Sequence, residues 1–260
     1  MEIRGRHILI TGASRGIGAA IARELAQRGA RLTLVARSTG PLSAVADEVG
    51  GSAVVADLMD RAQLDGLLDR VEKVNGPIDV LVNNAGIEHT KNFLDTDATE
   101  IDDVALLNFV VPLQLCRVVL PGMVQRERGH IVNISSMAST GGFPGLSVYA
   151  GTKAGLSQFT RIVRQDLKNT PIRLTAVEIG PVPTELFDNI RYQPTIDCFA
   201  RLRKIQLMPN VAATSVAIGV ANGIEKGKRA VWLPRRAFLF PMLVGLPQRI
   251  VEPLIRGIGP

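Results

Sequence analysis

The sequence predicts an α/β fold: a single doubly wound domain in which helices cover both faces of a seven-stranded parallel sheet. Three observations predict it. Short β-branched runs alternate with longer amphipathic stretches along most of the 260 residues. Most of the short runs are apolar throughout, as strands covered on both faces require. A glycine-rich turn joins the first run to the first amphipathic stretch, where sheets of this kind hold ligands.

Taken in order, the first strand is residues 7–11, and the helix after it is 15–28. There Ile17, Ile21 and Leu25 recur at four-residue intervals, so one apolar stripe meets the sheet, and Gly29 supplies the stop. Strand 31–36 is followed by helix 40–49, strand 52–56 by helix 61–75, and strand 78–82 by helix 101–126. Strand 130–135 then leads to helix 148–168, strand 173–178 to helix 211–226, and strand 230–233 closes the sheet. Repeated strand–helix–strand units imply parallel pairing through crossovers. No linker, low-complexity tract or internal repeat divides residues 1–260. Two appendages are expected, a proline-containing insertion at about 180–210 and a basic, apolar tail at about 234–260.

Composition narrows the function classes. A hydrophobic fraction of 46% and a mean hydropathy of +0.19 exclude a highly charged disordered chain. Cys116 and Cys198 are too few for a disulfide scaffold, and with His7, His89 and His130 scattered no metal-ligand spacing emerges. A cytoplasmic setting is expected. The charged opening segment lacks the order of a secretory leader. The most apolar stretches, 104–115 and 237–246, are both interrupted, so no membrane span is expected. The net charge of +6 is carried by residues 226–260, which hold seven bases and one acid. Charge so localised argues against a nucleic-acid surface. The tail's apolar residues, flanked by Arg235, Arg236, Arg249 and Arg256, suit peripheral contact with an anionic membrane. The preferred reading is that they are buried against the substrate loop or a second subunit.

The chemistry begins at Thr11-Gly12-Ala13-Ser14-Arg15-Gly16-Ile17-Gly18. Glycines at 12, 16 and 18 permit a tight turn and close backbone approach, and the helix N-terminus offers free N–H groups to a diphosphate. Gly12, Ser14, Arg15, Gly16, Ile17 and Gly18 are therefore candidate cofactor contacts. The second strand ends in Arg37 where a site for NAD usually carries an acid. Arg37 and Arg15 together suit a 2′-phosphate, which favours NADP(H) over NAD(H). Tyr149 and Lys153 fall at i and i+4 on one helical face, and Ser136 lies thirteen positions upstream at a strand end. An ammonium beside a phenol is expected to lower its pKa from about 10 by roughly one to three units, into the range of proton exchange with an alcohol or carbonyl. A serine hydroxyl can share the substrate oxygen.

Together these motifs resemble those of the short-chain dehydrogenase/reductase family, over roughly residues 5–233. The resemblance rests on the turn at 11–18, Asp57-Leu58, Asn83-Asn84-Ala85-Gly86, Asn108, Ser136 and Tyr149 with Lys153. It implies a Rossmann-like domain that moves a hydride between nicotinamide and a carbonyl carbon. It also implies that Asp57 and Leu58 lie at the adenine, that Asn84, Ala85 and Gly86 flank the cofactor, and that Asn108, Ser136, Tyr149 and Lys153 form a catalytic tetrad. In that tetrad Tyr149 is the general acid/base, Ser136 polarises the carbonyl, and Lys153 holds the nicotinamide ribose. Asn108 would hold a water that links Lys153 to solvent. Homodimers or homotetramers built on helices 101–126 and 148–168 are expected.

Several residues keep a second reading. Asp57 also suits a helix N-cap, Asn108 a local hydrogen bond, and Cys116 a buried apolar role. Glu178-Ile179-Gly180 stands where the family commonly has a proline before the glycine, while Val182 and Thr184 remain candidate nicotinamide contacts. Glu178 is an unusual charge at the site's edge, facing either substrate or solvent. The substrate wall is assigned to 137–144, 87–89 and 186–208. In the last segment Leu186, Phe187, Ile190, Tyr192, Ile196, Phe199, Leu202, Ile205, Leu207 and Met208 suit an apolar lid or packing on the core. An apolar lid points to a hydrophobic, lipid- or steroid-like ketone or alcohol. Two other classes stay open, an NADP-binding redox sensor and a membrane-associated assembly component.

Overall fold

The computed structural model describes residues 1–185, 190–206 and 208–234. The seven apolar runs become strands β1 (His7–Thr11), β2 (Arg31–Ala36), β3 (Ser52–Val55), β4 (Val80–Asn83), β5 (His130–Ser136), β6 (Arg173–Ile179) and β7 (Ala230–Leu233). All pair in parallel in the order β3-β2-β1-β4-β5-β6-β7. The order reverses between β1 and β4, opening a crevice beyond their carboxyl ends.

Alternation along the strands divides the core between two faces. Ile8 and Ile10, with Leu34, Val82 and Val132, pack beneath α1 (Gly16–Gln27), α2 (Thr39–Val49) and the last helix, Ala213–Lys226. Leu9, Leu81, Ile131 and Leu174 face the other side, covered by α4 (Leu67–Asn75), α6 (Val111–Gln125) and, at its edge, α7 (Ser147–Asp166).

Three elements depart from the expected pattern. The stretch 61–75 breaks into α3 (Arg61–Leu64) and α4, because Gly66 takes a left-handed conformation at φ 75°. The stretch 101–126 begins earlier, as α5 (Ala98–Ala105), where Asp97 and Glu100 form a capping box. It then widens into a π turn over Leu106–Val110 before α6. Pro112 has no N–H to return to the carbonyl of Asn108, four residues back, so the regular ladder is interrupted there. Finally, the proline-containing insertion holds a helix that the sequence reading missed, α8 (Gln193–Lys204); Ala213–Lys226 is therefore α9.

Within Ala98–Gln125 an 18-residue window reaches a mean hydropathy of 1.8, so by length and composition alone this helix could cross a membrane. Its Val111, Leu115, Cys116, Val119 and Met123 are instead buried against the sheet, and Val104 is buried as well. The tail at 235–260 and the lid members Leu186, Phe187 and Leu207 lie outside the described residues.

Candidate active site

The glycine turn lies at the carboxyl end of β1, tied to the segment after β4. The Asn84 amide donates to the carbonyls of Thr11 and Gly12 at 2.9 and 3.0 Å. The Thr11 hydroxyl accepts from the N–H groups of Asn84 and Ala85 at 3.0 and 3.1 Å. The strands approach so closely that a Cβ on Gly12, whose φ is 65°, would stand 2.7 Å from Ala85 Cα. A Cβ on Gly18 would stand 2.6 Å from Asn84 Nδ2 and overlap the carbonyl of Gly12. Asn84 thus shapes the turn through its side chain. Arg15 occupies the N-cap of α1 without any side-chain cap, which leaves the helix N-terminus for an outside acceptor. Glycines that only a bare backbone fits, around an uncapped helix end, suit a nucleotide diphosphate.

Both candidate phosphate-reading arginines have acidic partners. Arg15 pairs with Glu185, and Arg37 lies 3.8 Å from Asp57. These pairs are more than a third exposed and contribute little, on the order of 0–1 kcal/mol, so a phosphate dianion can displace either acid. Asp57 does not cap a helix, contrary to its second reading: Asp60 caps α3, while Asp57 accepts from the N–H of Met59 at 3.0 Å. The Leu58 side chain is buried in the core and does not face a cofactor. Ser14 stands half-buried in the turn.

On the other side of the crevice, β5 ends in two serines that face opposite ways. Ser135 is buried against α7, hydrogen-bonded to Ser157 at 2.6 Å and to the carbonyl of Lys153 at 3.0 Å. Ser136 points into a cleft, accepting from the N–H of Ala138 at 3.1 Å, and Tyr149 lines the same cleft. Lys153, one turn along α7, is buried; its Nζ donates to the carbonyl of Ile134 at 3.0 Å and stands 5.7 Å from the centre of the Tyr149 ring. The three groups named from sequence therefore converge.

The expected lowering of the phenol does not appear. Burial pushes Tyr149 above the usual tyrosine range, the charges of Glu88 and Glu178 add to that push, and only the Ser136 hydroxyl pulls it down. Burial also pulls Lys153 down to about 8, against the attraction of Glu178 and Glu88. The expectation counted one cation; it omitted desolvation and two carboxyls, the buried Glu178 and the half-buried Glu88, that sequence spacing does not place here.

Asn108 sits in the π turn, fully buried, and makes no local helical bond with its side chain. Its Oδ1 accepts from the N–H of Ile87 at 2.9 Å and its Nδ2 donates to the carbonyl of Ile87 at 2.7 Å. Gly86 passes so near that an added Cβ would meet Asn108 Oδ1 at 3.0 Å and Lys153 Nζ at 3.5 Å.

Glu178 meets neither substrate nor solvent. It is fully buried on β6, accepting from Ser157 at 2.7 Å and Ser139 at 3.0 Å, with Arg161 at 3.9 Å. Glu88, by contrast, lines the cleft and was named from sequence only as part of a variable wall. A half-buried carboxyl within electrostatic reach of Lys153 has no sequence signature of its own; the fold creates it.

The cleft encloses about 550 Å³, its open mouth included. Ile17, Val182 and Thr184 close its cofactor side, and Ala138, Phe143, Leu146, Ile190, Phe199 and Met208 its outer side. The insertion divides between the two roles expected for it. Ile190, Phe199 and Met208 face the cleft, Cys198 and Leu202 pack on the loop after β5, and Ile196 and Ile205 stay exposed. His89 lies outside the cleft, 3.9 Å from Glu100.

Residues 6–195 match the family model described as short chain dehydrogenase. A ketoacyl reductase from Nostoc sp. is 39% identical over 185 residues, which are 69% of this chain and 64% of the relative's length. A metagenomic short-chain oxidoreductase solved with NADP is 35% identical, covers 69% of this chain and 84% of its own, and superposes with a TM-score of 0.65. A short-chain dehydrogenase/reductase from Burkholderia phymatum solved with NAD is 25% identical, covers 92% of each chain, and reaches a TM-score of 0.80.

Proposed function

The chain belongs to the short-chain dehydrogenase/reductase family, and from that premise we propose that it is an NADP(H)-dependent oxidoreductase interconverting a hydrophobic ketone and its secondary alcohol. The observation that carries this reading is the meeting of Ser136 and Tyr149 in one largely apolar cleft, with buried Lys153 beneath, next to an uncapped glycine turn. A bound nicotinamide would supply or accept the hydride at the carbonyl carbon. In the reducing direction the carbonyl oxygen gains the electron pair of the breaking π bond and takes the phenolic proton of Tyr149. A raised phenol suits that role, because Tyr149 carries its proton at neutral pH. The Ser136 hydroxyl donates to the same oxygen as charge develops on it. Lys153 would hold the ribose and keep a positive charge near the phenolate that forms. Asn108 is a positioning residue, fixing the backbone at Ile87.

The preference for NADP is supported by Arg37 at the end of β2 and by the NADP bound to a related structure. The apolar walls support a lipid-like substrate, as does the name of the Nostoc relative, a ketoacyl reductase. Tyr149→Phe tests the reading: it is expected to retain NADPH binding, followed by fluorescence, and to lose at least about 10²–10⁴-fold in turnover of a good ketone. Substantial residual activity contradicts the role given to Tyr149. Tight NADPH binding by the wild type without turnover across a graded panel of carbonyl compounds leaves a regulatory module instead.

A further inference from the structure

The cleft that holds Ser136 and Tyr149 is walled mostly by apolar side chains, yet one of the residues lining it is Glu88. Glu88 Oε1 is closed off from solvent and has no hydrogen-bond partner among the described residues. Lys153 attracts it through space. The preceding residue, Ile87, is clamped at both its N–H and its carbonyl by Asn108, so the backbone that carries Glu88 is held in place. Buried polar atoms in native proteins nearly always have a partner, and one left over calls for an explanation. Glu88 lines the same cleft as Ser136 and Tyr149, so a substrate bound at those two residues lies against it.

We propose that Glu88 is the polar anchor of the substrate cleft, accepting a hydrogen bond from a hydroxyl or amide N–H that the substrate carries close to its reacting carbonyl. The inference rests on the oxidoreductase reading above and narrows the substrate to an apolar carbonyl compound bearing a neutral donor. A cationic donor fits poorly, since the Lys153 ammonium already stands nearby. Burial pushes Glu88 up to about 7, so a donor that favours its carboxylate form meets a group already balanced between acid and base. A site built to bond a substrate hydroxyl discriminates sharply against the analogue without one, because the buried acceptor is then left unpaired.

The test compares octanone with its α-hydroxy derivative, using NADPH and the full chain. The wild type is expected to favour the hydroxy ketone in kcat/KM, and Glu88→Leu to shrink that ratio by about 10- to 100-fold. Glu88→Gln, which keeps an acceptor oxygen but loses the charge, is expected to fall between the two, and it carries the test alone if Glu88→Leu does not fold. A wild type that treats the two ketones alike, or a ratio unchanged in the variants, overturns the proposal. Binding of the same pair to the NADPH complex of Tyr149→Phe, read by quenching of nicotinamide fluorescence, separates this inference from the reaction assigned above. A preference in binding that Glu88 substitution removes, without turnover by the wild type, ends the oxidoreductase reading and keeps the anchor. Equal binding of both ketones overturns the anchor whatever the turnover.

Discussion

Tyr149 and Lys153 depart from their ordinary ionisation in opposite senses for the same reason, since burial penalises whichever form is charged. The phenol keeps its proton, and the ammonium gives its proton up more readily, at about 8. Lys153 is charged below that value and neutral above it. Carbonyl reduction is therefore expected to hold at neutral pH and to fall as pH rises through about 8, and a profile of kcat/KM flat across that value contradicts the assignment. At the cofactor end, Arg37→Asp removes a charge-assisted hydrogen bond to phosphate and adds a repelling carboxylate. The NADPH-over-NADH ratio of kcat/KM is expected to drop by roughly tenfold or more. An unchanged ratio shows that Arg37 does not read the phosphate. The residues proposed for this chemistry were legible in the sequence, Tyr149, Lys153 and Ser136 by their spacing and Arg37 by its place at a strand end. Their protonation states were not, because desolvation depends on neighbours such as Glu88 and Glu178 that are remote in sequence.

Among the elements, the π turn of Leu106–Val110 governs most directly how the site is held. It turns Asn108 out of its own helix and onto the backbone of Ile87, at 2.9 and 2.7 Å. Asn108→Ala leaves both Ile87 groups without that partner and is expected to destabilise the fold by about 1–3 kcal/mol in urea unfolding. Turnover is expected to fall with it; full stability and activity in the variant would remove Asn108 from the site's framework. The middle of the sheet holds a second device. On β5, His130 is buried, with Nε2 2.7 Å from the Thr175 hydroxyl on β6 and Nδ1 unpartnered among the described residues. Burial, helped by the positive charges of the N-terminus, Arg173 and Arg164, pulls its pKa down to about 3. The unfolded chain then binds the proton first, so the contribution of neutral His130 is fully present above about 6.5. It is lost as pH falls from there towards about 3, at up to about 1.4 kcal/mol per pH unit. Urea unfolding across that range is expected to show the slope and His130→Gln to reduce it; equal slopes rule His130 out. Strand 130–135 was plain from its apolar run, but the π turn was not. Pro112 inside an apolar stretch was the available signal.

At the scale of the molecule, the insertion and the loop after β5 form a third apolar cluster outside the sheet, joining Met137, Phe143 and Leu146 to Cys198, Leu202 and Met208. Phe143 and Phe199 meet there with ring centres 5.6 Å apart. The cleft thus opens between the sheet's carboxyl edge and a small core of its own, and α8 is what builds that second core. Its signal in the sequence was Pro194 at the first turn followed by Thr195, Cys198 and Leu202 at three- and four-residue spacing. On the far side, α6 leaves Val118 62% exposed and α7 leaves Ile162 51% exposed. An oligomer formed on these helices would cover both. Val118→Glu with Ile162→Glu is expected to yield a smaller species by light scattering, and an unchanged mass would place the subunit contact elsewhere.

The sequence by itself determined the alternation of strands and helices, the glycine turn and the residue types able to exchange a proton, since periodicity and local spacing encode these directly. Only the tertiary structure decided that Glu178 is buried among serines while Glu88 lines the cleft, that Asn108 reaches Ile87, and that Tyr149 resists ionisation. The physical reason is that a charge's behaviour depends on how much water it loses and which groups replace that water, and both are set by elements that meet only once the sheet has closed.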